Sequence, residues 1–142
     1  MEITFEPATT ADIASIYTFS LNLIDRYEDT AQIDYRKVCD WVHEKIEKHI
    51  GAYMRILVGG ELAGYYYFHP ADGKMELDDL YILPQYRNQG IGTQVIHKCR
   101  QETNLPVFLY VFSRNKKAIA LYSRLGFRIR ASAGNTRYIM EG

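Results

Sequence analysis

The residues best suited to chemistry are Arg87-Asn88-Gln89-Gly90-Ile91-Gly92. They follow an apolar run, Leu80-Tyr81-Ile82-Leu83, and a turn at Pro84, and they lead straight into an amphipathic helical pattern. A strand that ends in a glycine-bearing turn and opens a helix aims free backbone N–H groups at one point in space. The helix dipole adds partial positive charge there, so the point is a natural seat for a diphosphate. Gly90 and Gly92 carry no Cβ, which lets a ligand lie directly on the backbone. Arg87 can add a charge-assisted hydrogen bond at the rim. Two rival loops do not fit. A P-loop needs Gly-Lys-Ser/Thr at the helix start, and here Gly92 is followed by Thr93-Gln94. A dinucleotide fold wants a third glycine and a loop near the start of a βαβ unit.

A second group of chemically able residues lies just upstream, in the stretch from Lys74 to Leu83. Strand alternation puts Glu76, Asp78, Leu80 and Ile82 on one face, and Leu77, Asp79 and Tyr81 on the other. Carboxylates in such a strand are costly if buried without partners, so they belong at a solvent end or in a cleft. The four histidines do not cluster. Cys39 and His43 share a helix face, but two ligands do not make a zinc site, and no metal is expected.

Composition bounds the class. With 142 residues, 47% of them apolar, the chain suffices for one domain spanning 1–142 and not for two. Lys+Arg and Asp+Glu both number 17, which argues against a nucleic-acid partner, since that needs a basic face. No apolar run approaches the ~18 residues of a membrane span. The opening Met1-Glu2-Ile3-Thr4-Phe5-Glu6 lacks the apolar core of a signal peptide. Cys39 and Cys99 sit in helical stretches with apolar neighbours, so a reducing, cytoplasmic setting is expected.

The elements follow from periodicity. Ile3-Thr4-Phe5 predicts a strand, and Thr9-Thr10-Ala11-Asp12 a capping-box helix start. Ile13, Ile16, Tyr17, Leu21 and Ile24 form one helix face, and Val38, Trp41, Val42 and Ile46 another. Met54 to Val58, Gly59-Gly60 and Leu62 to Phe68 predict a hairpin. Ala71-Asp72-Gly73 turns the chain into the strand that precedes the glycine loop. The loop's helix buries Ile91, Val95, Ile96 and Cys99. Pro106 to Phe112 predicts a strand apolar enough to be central. Asn115 can cap a helix with Ala118, Leu121, Tyr122 and Leu125 inward, ended by Gly126. Strands near Phe127 to Ala131 and Arg137 to Met140 close the chain.

The loop resembles the pyrophosphate loop, Q/R-x-x-G-x-G/A, of the GNAT superfamily of N-acetyltransferases. Asn115-Lys116-Lys117-Ala118-Ile119-Ala120-Leu121-Tyr122-Ser123-Arg124-Leu125-Gly126-Phe127 is similar to that family's N-x-x-A-x-x-L-Y-x-x-x-G-F segment. The element order β-α-α-β-β-β-α-β-α-β-β is also the family's. The resemblance implies an α/β (α+β) fold, with a mixed, mostly antiparallel sheet of about six or seven strands flanked by about four helices.

The resemblance also implies roles. The acyl donor is acetyl-CoA, its diphosphate held by the amides from Asn88 to Thr93: Asn88, Gln89, Gly90, Ile91, Gly92 and Thr93. Its pantetheine arm lies along Leu80, Tyr81 and Ile82, with the Ile82 N–H facing the thioester oxygen. Tyr122 matches the tyrosine that protonates the departing thiolate, although at apolar helix spacing it also reads as core. Asn115 matches a CoA contact, and reads equally as a helix cap. One family position for the general base falls at Tyr110, which cannot serve. Another, six residues before the strand's end, falls at Glu76, acting through a water, with Asp79 as the second choice. No cysteine lies in either motif, so direct attack by a primary amine in a ternary complex is expected. The alternatives are a non-catalytic acyl-CoA-binding or sensory module, or a transferase using another acyl-CoA. The acceptor, a small-molecule or peptide amine, is expected between the first two helices (Asp25 to Asp34) and the final hairpin. Glu28, Asp29, Glu76, Asp78 and Asp79 would make that opening negative and favour a cationic guest. Oligomeric state is left open, a homodimer included.

Overall fold

The computed structural model describes residues 2–142. Seven strands form one sheet: β1 (Ile3–Pro7), β2 (Tyr53–Val58), β3 (Glu61–Ala71), β4 (Lys74–Ile82), β5 (Val107–Phe112), β6 (Arg128–Ala133) and β7 (Arg137–Glu141). Four helices accompany them: α1 (Ile13–Tyr27), α2 (Tyr35–His49), α3 (Ile91–Gln101) and α4 (Lys116–Arg124). The strand order is β1-β2-β3-β4-β5-β7-β6, and the β4–β5 pair alone is parallel among antiparallel neighbours. The predicted element order and fold class stand as read.

Helices cover both faces. On one, Ile91, Val95, Ile96 and Cys99 of α3 meet Ile56, Tyr66, Leu77, Val107, Leu109, Val111 and Met140, with Phe127 folded in behind α4. On the other, Ile16 and Ile24 of α1 and Val42 and Ile46 of α2 meet Tyr53, Tyr65 and Tyr67. Each fully buried aliphatic side chain stabilises this arrangement by roughly 1.5–3 kcal/mol. The predicted inward face of α1 is borne out. That of α2 needs a correction, because Trp41 is 62% exposed while Cys39 is buried. The stripe is centred on Cys39, Val42 and Ile46, and Trp41 lies a helical step of about 100° to its side.

Two features of β4 set it apart from its neighbours. It pairs with β5 only at Met75↔Val107 and Glu76↔Phe108, so from Leu77 onward its outer edge is open. It also bulges against β3. Tyr65 lies opposite Tyr81 and Tyr67 opposite Asp78, so Tyr66 alone faces both Asp79 and Leu80. The bulge overturns the simple alternation expected for this strand. Leu77, Leu80 and Ile82 turn toward the α3 side, whereas Asp78, Asp79 and Tyr81 turn toward α1 and α2. Among the described residues, no helix is long and apolar enough to cross a membrane.

β3 approaches β4 closely beside the bulge. A Cβ added at Gly64 would lie 2.1 Å from the Tyr81 carbonyl oxygen, inside any permitted contact. Gly64→Ala must therefore push the strands apart, with an expected loss of about 1–3 kcal/mol in urea unfolding. An unchanged unfolding midpoint would show that the two strands do not pack this tightly.

Candidate active site

The loop after β4 takes the form that frees its amides. A short helical turn over Pro84–Tyr86 is followed by Asn88 at φ 62° and Gly90 at φ 79°. Gly90 is the N-cap of α3, a left-handed position that glycine reaches without strain. The first intrahelical bond runs from Gln94 N–H to Gly90 O at 3.1 Å. Among the described residues, the six amides from Asn88 to Thr93 have no acceptor, and residues 87–90 are exposed. Around Gly92 an added Cβ would meet only Leu121 Cδ2, at 3.6 Å. Arg87 turns back instead of outward. Its Nε donates to Ile82 O at 2.9 Å, and its guanidinium lies 5.3 Å from the Tyr81 ring centre.

The open edge of β4 leads from this loop toward the bulge. Leu83 N–H bonds Ala63 O at 2.8 Å. Antiparallel alternation then turns the Ile82 and Leu80 amides away from β3, onto the unpaired side. The Leu80 and Ile82 side chains join the α3-side core, which also receives Tyr86 and Tyr122. Tyr122 meets Phe127 edge-on, with ring centres 5.9 Å apart. Its hydroxyl has no hydrogen-bond partner among the described residues, and burial pushes the phenol up to about 12, so it keeps its proton throughout the neutral range. Leu80, Ile82 and Tyr122 thus pack against the same core as Ile91, the first residue of α3. Asn115 does what its capping chemistry suggests, its Oδ1 accepting from Ala118 N–H at 3.3 Å.

The acids occupy the opposite face. Asp79 accepts from the Tyr53 hydroxyl at 2.6 Å and lies 3.0 Å from Lys45 Nζ. The same Lys45 is 3.1 Å from Asp78. His69 Nε2 stands 3.5 Å from Asp78 and 3.6 Å from Glu76. Burial, then Asp78, raises the carboxyls of Glu76 and Asp79. Asp78 goes the other way: burial opposes its charge, but His69 and Lys45 prevail and hold it below the usual range. Burial disfavours the Lys45 ammonium too, yet Asp79 and Asp78 outweigh it and keep it charged.

Here the electrostatic expectation is corrected. Lys45 and a protonated His69 offset two of the three β4 acids, and among the described residues no contact ties Glu28 or Asp29 to them. Lys45, Tyr53 and His69 were missed in the sequence because they lie on other elements. The available signal was the need of three acids in one sheet strand for cationic partners. His69, Glu76 and Asp78 could offer a metal three ligand atoms, all within 4.8 Å of one another. Lys45 already supplies a cation to the same Asp78 oxygen. Beside this network a cleft between α1 and β4 is lined by Ile16, Phe19, Ser20, Leu23, Tyr65, Asp79 and Tyr81. Phe19 and Tyr81 stack there at 4.3 Å.

Comparisons with known proteins agree with this fold. The model of the acetyltransferase (GNAT) family matches residues 12–127. The chain is 36% identical over 92 residues to thialysine N-epsilon-acetyltransferase of Mus musculus, covering 61% of this chain and 54% of that protein. The Sus scrofa enzyme of the same name is 37% identical over 76 residues, covering 51% and 45%. The chain thus aligns with about half the length of these relatives. In fold it resembles the PaiA N-acetyltransferase of Thermoplasma acidophilum in complex with coenzyme A, with a TM-score of 0.74 and 19% identity over 99% of this chain and 98% of that one. An N-acetyltransferase from Staphylococcus aureus Mu50 superposes with a TM-score of 0.77 at 13% identity, over 98% and 100% of the chains.

The His69 environment has a measurable consequence for stability. Asp78 raises the imidazole above its ordinary 6.5 against the opposing effect of burial. A group whose proton affinity rises on folding contributes fully below its unfolded value and loses that contribution as pH climbs through the folded one. The melting temperature of the wild type should therefore exceed that of His69→Gln most near pH 6, and the gap should close toward about pH 9. A gap independent of pH would mean that folding leaves the proton affinity of His69 unchanged.

Proposed function

Because the chain belongs to the GNAT acetyltransferase family, we propose that it transfers an acetyl group from acetyl-CoA to a primary amine by direct attack in a ternary complex. The observation that carries this reading is the row of six unpartnered amides at the start of α3, continuous with the open edge of β4. Acetyl-CoA supplies an activated acyl carbon as its thioester. This chain's residues do the rest. The amides of Asn88, Gln89, Gly90, Ile91, Gly92 and Thr93 hold the diphosphate, helped by the α3 dipole. The backbone of Leu80, Tyr81 and Ile82 orients the arm, and the outward amides of Leu80 and Ile82 are its hydrogen-bond donors. Asn115 keeps its amide nitrogen available after capping α4.

Tyr122 holds a proton at its phenolic oxygen for the departing thiolate, and its lack of an internal partner leaves that proton free to be donated. Glu76 is the base we favour, with a longer reach than one water. At about 3.3 Å per residue it stands roughly 20 Å from Ile82, so a proton reaches it through solvent. The acceptor is assigned to the opening beside α1 and α2 that is lined by Asp25, Thr30 and Tyr35, within the stretch expected to receive it. Relatives named for acetylating thialysine support an amine acceptor. Buried, unpaired Cys39 and Cys99 suit a reducing cytoplasm.

Two experiments test these assignments. Free CoA and acetyl-CoA should both raise the melting temperature, by the equivalent of about 2.7 kcal/mol at a hundredfold excess over Kd. Gly92→Val should abolish the rise while leaving the fold intact, since an added Cβ makes only an ordinary contact there, with Leu121 Cδ2 at 3.6 Å. A rise that survives removes the loop from the site. In thiol-release kinetics, Tyr122→Phe should lower kcat by about 10²–10⁴ with cofactor affinity nearly unchanged. Glu76→Gln should instead flatten the increase of rate with pH. Near-normal turnover in the phenylalanine variant, with chemistry rate-limiting, would reduce Tyr122 to a core residue.

A further inference from the structure

Asp79 sits in the left-handed region, at φ 50°, inside a strand. For an ordinary L-residue that conformation costs roughly 1–2 kcal/mol, and Asp is among the few side chains that tolerate it. It falls at the bulge, where Asp79 and Leu80 together face Tyr66. Remove the extra residue and the register beyond it slips by one. Leu80 and Ile82 would then leave the α3-side core for the α1 side, and their amides would turn back toward β3.

Two separate elements converge on this one residue. Tyr53 of β2 donates to its Oδ2 at 2.6 Å, and Lys45 of α2 lies 3.0 Å from the same oxygen. Tyr53 is itself fully buried and stacked on Tyr67 at 4.6 Å, so its hydroxyl cannot swing away. A carboxylate so engaged has little freedom to collect a proton from an incoming amine. It is well placed, though, to hold a backbone.

We propose that Asp79 is a positioning residue, clamped by Lys45 and Tyr53 so that β4 keeps the bulged register which presents the Leu80 and Ile82 amides to the acyl donor. This rests on the acetyltransferase reading, and it makes Asp79 part of the backbone machinery instead of a base.

Three substitutions at one position separate the roles. Asp79→Ala loses both the tolerance for positive φ and the clamp, and should lower kcat about 100-fold, the usual effect of a misplacement near 1 Å. Asp79→Gly has no carboxylate at all yet accepts the left-handed conformation, and should recover about tenfold over the alanine variant. Asp79→Asn accepts that conformation and can still receive the Tyr53 hydrogen bond, so it should lose less than tenfold. Tyr53→Phe, which keeps the ring and its packing, should lower kcat with the KM for the acyl donor unchanged. In each variant the thermal shift produced by free CoA should persist, showing a folded chain with an intact loop. If the glycine and asparagine variants are as inactive as alanine, the carboxylate itself does chemistry and the proposal fails. If alanine turns over like the wild type, it fails as well. Wild-type silence with every amine tried would overturn the acetyltransferase reading itself, and the positioning role with it, which a failure confined to the variants would not.

Discussion

A single extra residue in β4 divides this protein into two working faces. A regular strand would have sent Leu77, Asp79 and Tyr81 to one side and Asp78, Leu80 and Ile82 to the other. Each face would then have buried an acid among aliphatic neighbours, an arrangement that costs several kcal/mol without partners. The bulge at Asp79–Leu80 sorts them. Apolar residues go to the α3 side and polar ones to the α1–α2 side, so each layer meets chemistry it can accommodate. Lys45, Tyr53 and His69 complete the polar side.

The same strand therefore offers different atoms on its two sides. Its backbone is left unpaired where β5 diverges after Glu76↔Phe108, on the edge that leads to the glycine loop. Its side chains face the cleft against α1.

A second buried polar cluster supports the α1–α2 face at a distance. Asp12 is nearly buried, accepts from the Tyr65 hydroxyl at 2.9 Å and from Thr9 N–H at 2.9 Å, and lies 3.4 Å from Arg55 Nε. Arg55 also pairs with Glu6 of β1. Removing one partner from such a buried group costs more than the pair contributes, so these contacts act chiefly to hold register between β1, β2 and β3. Tyr65 thus ties the start of α1 to the strand that carries the bulge's partner, Tyr66.

Most of the architecture was legible in the chain because periodicity and turn chemistry are local. Ile91, Val95, Ile96 and Cys99 repeat as a helix face must, and all four are buried. The Asp72-Gly73 turn and the cap at Asn115 likewise depend on neighbours a few residues away. The glycine loop belongs to the same class, since its free amides follow from a strand, a left-handed glycine and a helix start in succession. What the sequence could not reveal depends on distant partners. Trp41 looked inward by spacing, but where α2 lies on the sheet is decided by Cys39, Val42 and Ile46. The bulge has no local signature, because an extra residue exists only relative to the strand opposite. The pairing of Asp78 and Asp79 with Lys45 and Tyr53 spans 26 to 34 positions. Local rules determined the elements and the loop; tertiary structure decided the register and the charge pairing, because both are relations between strands and helices that no single segment contains.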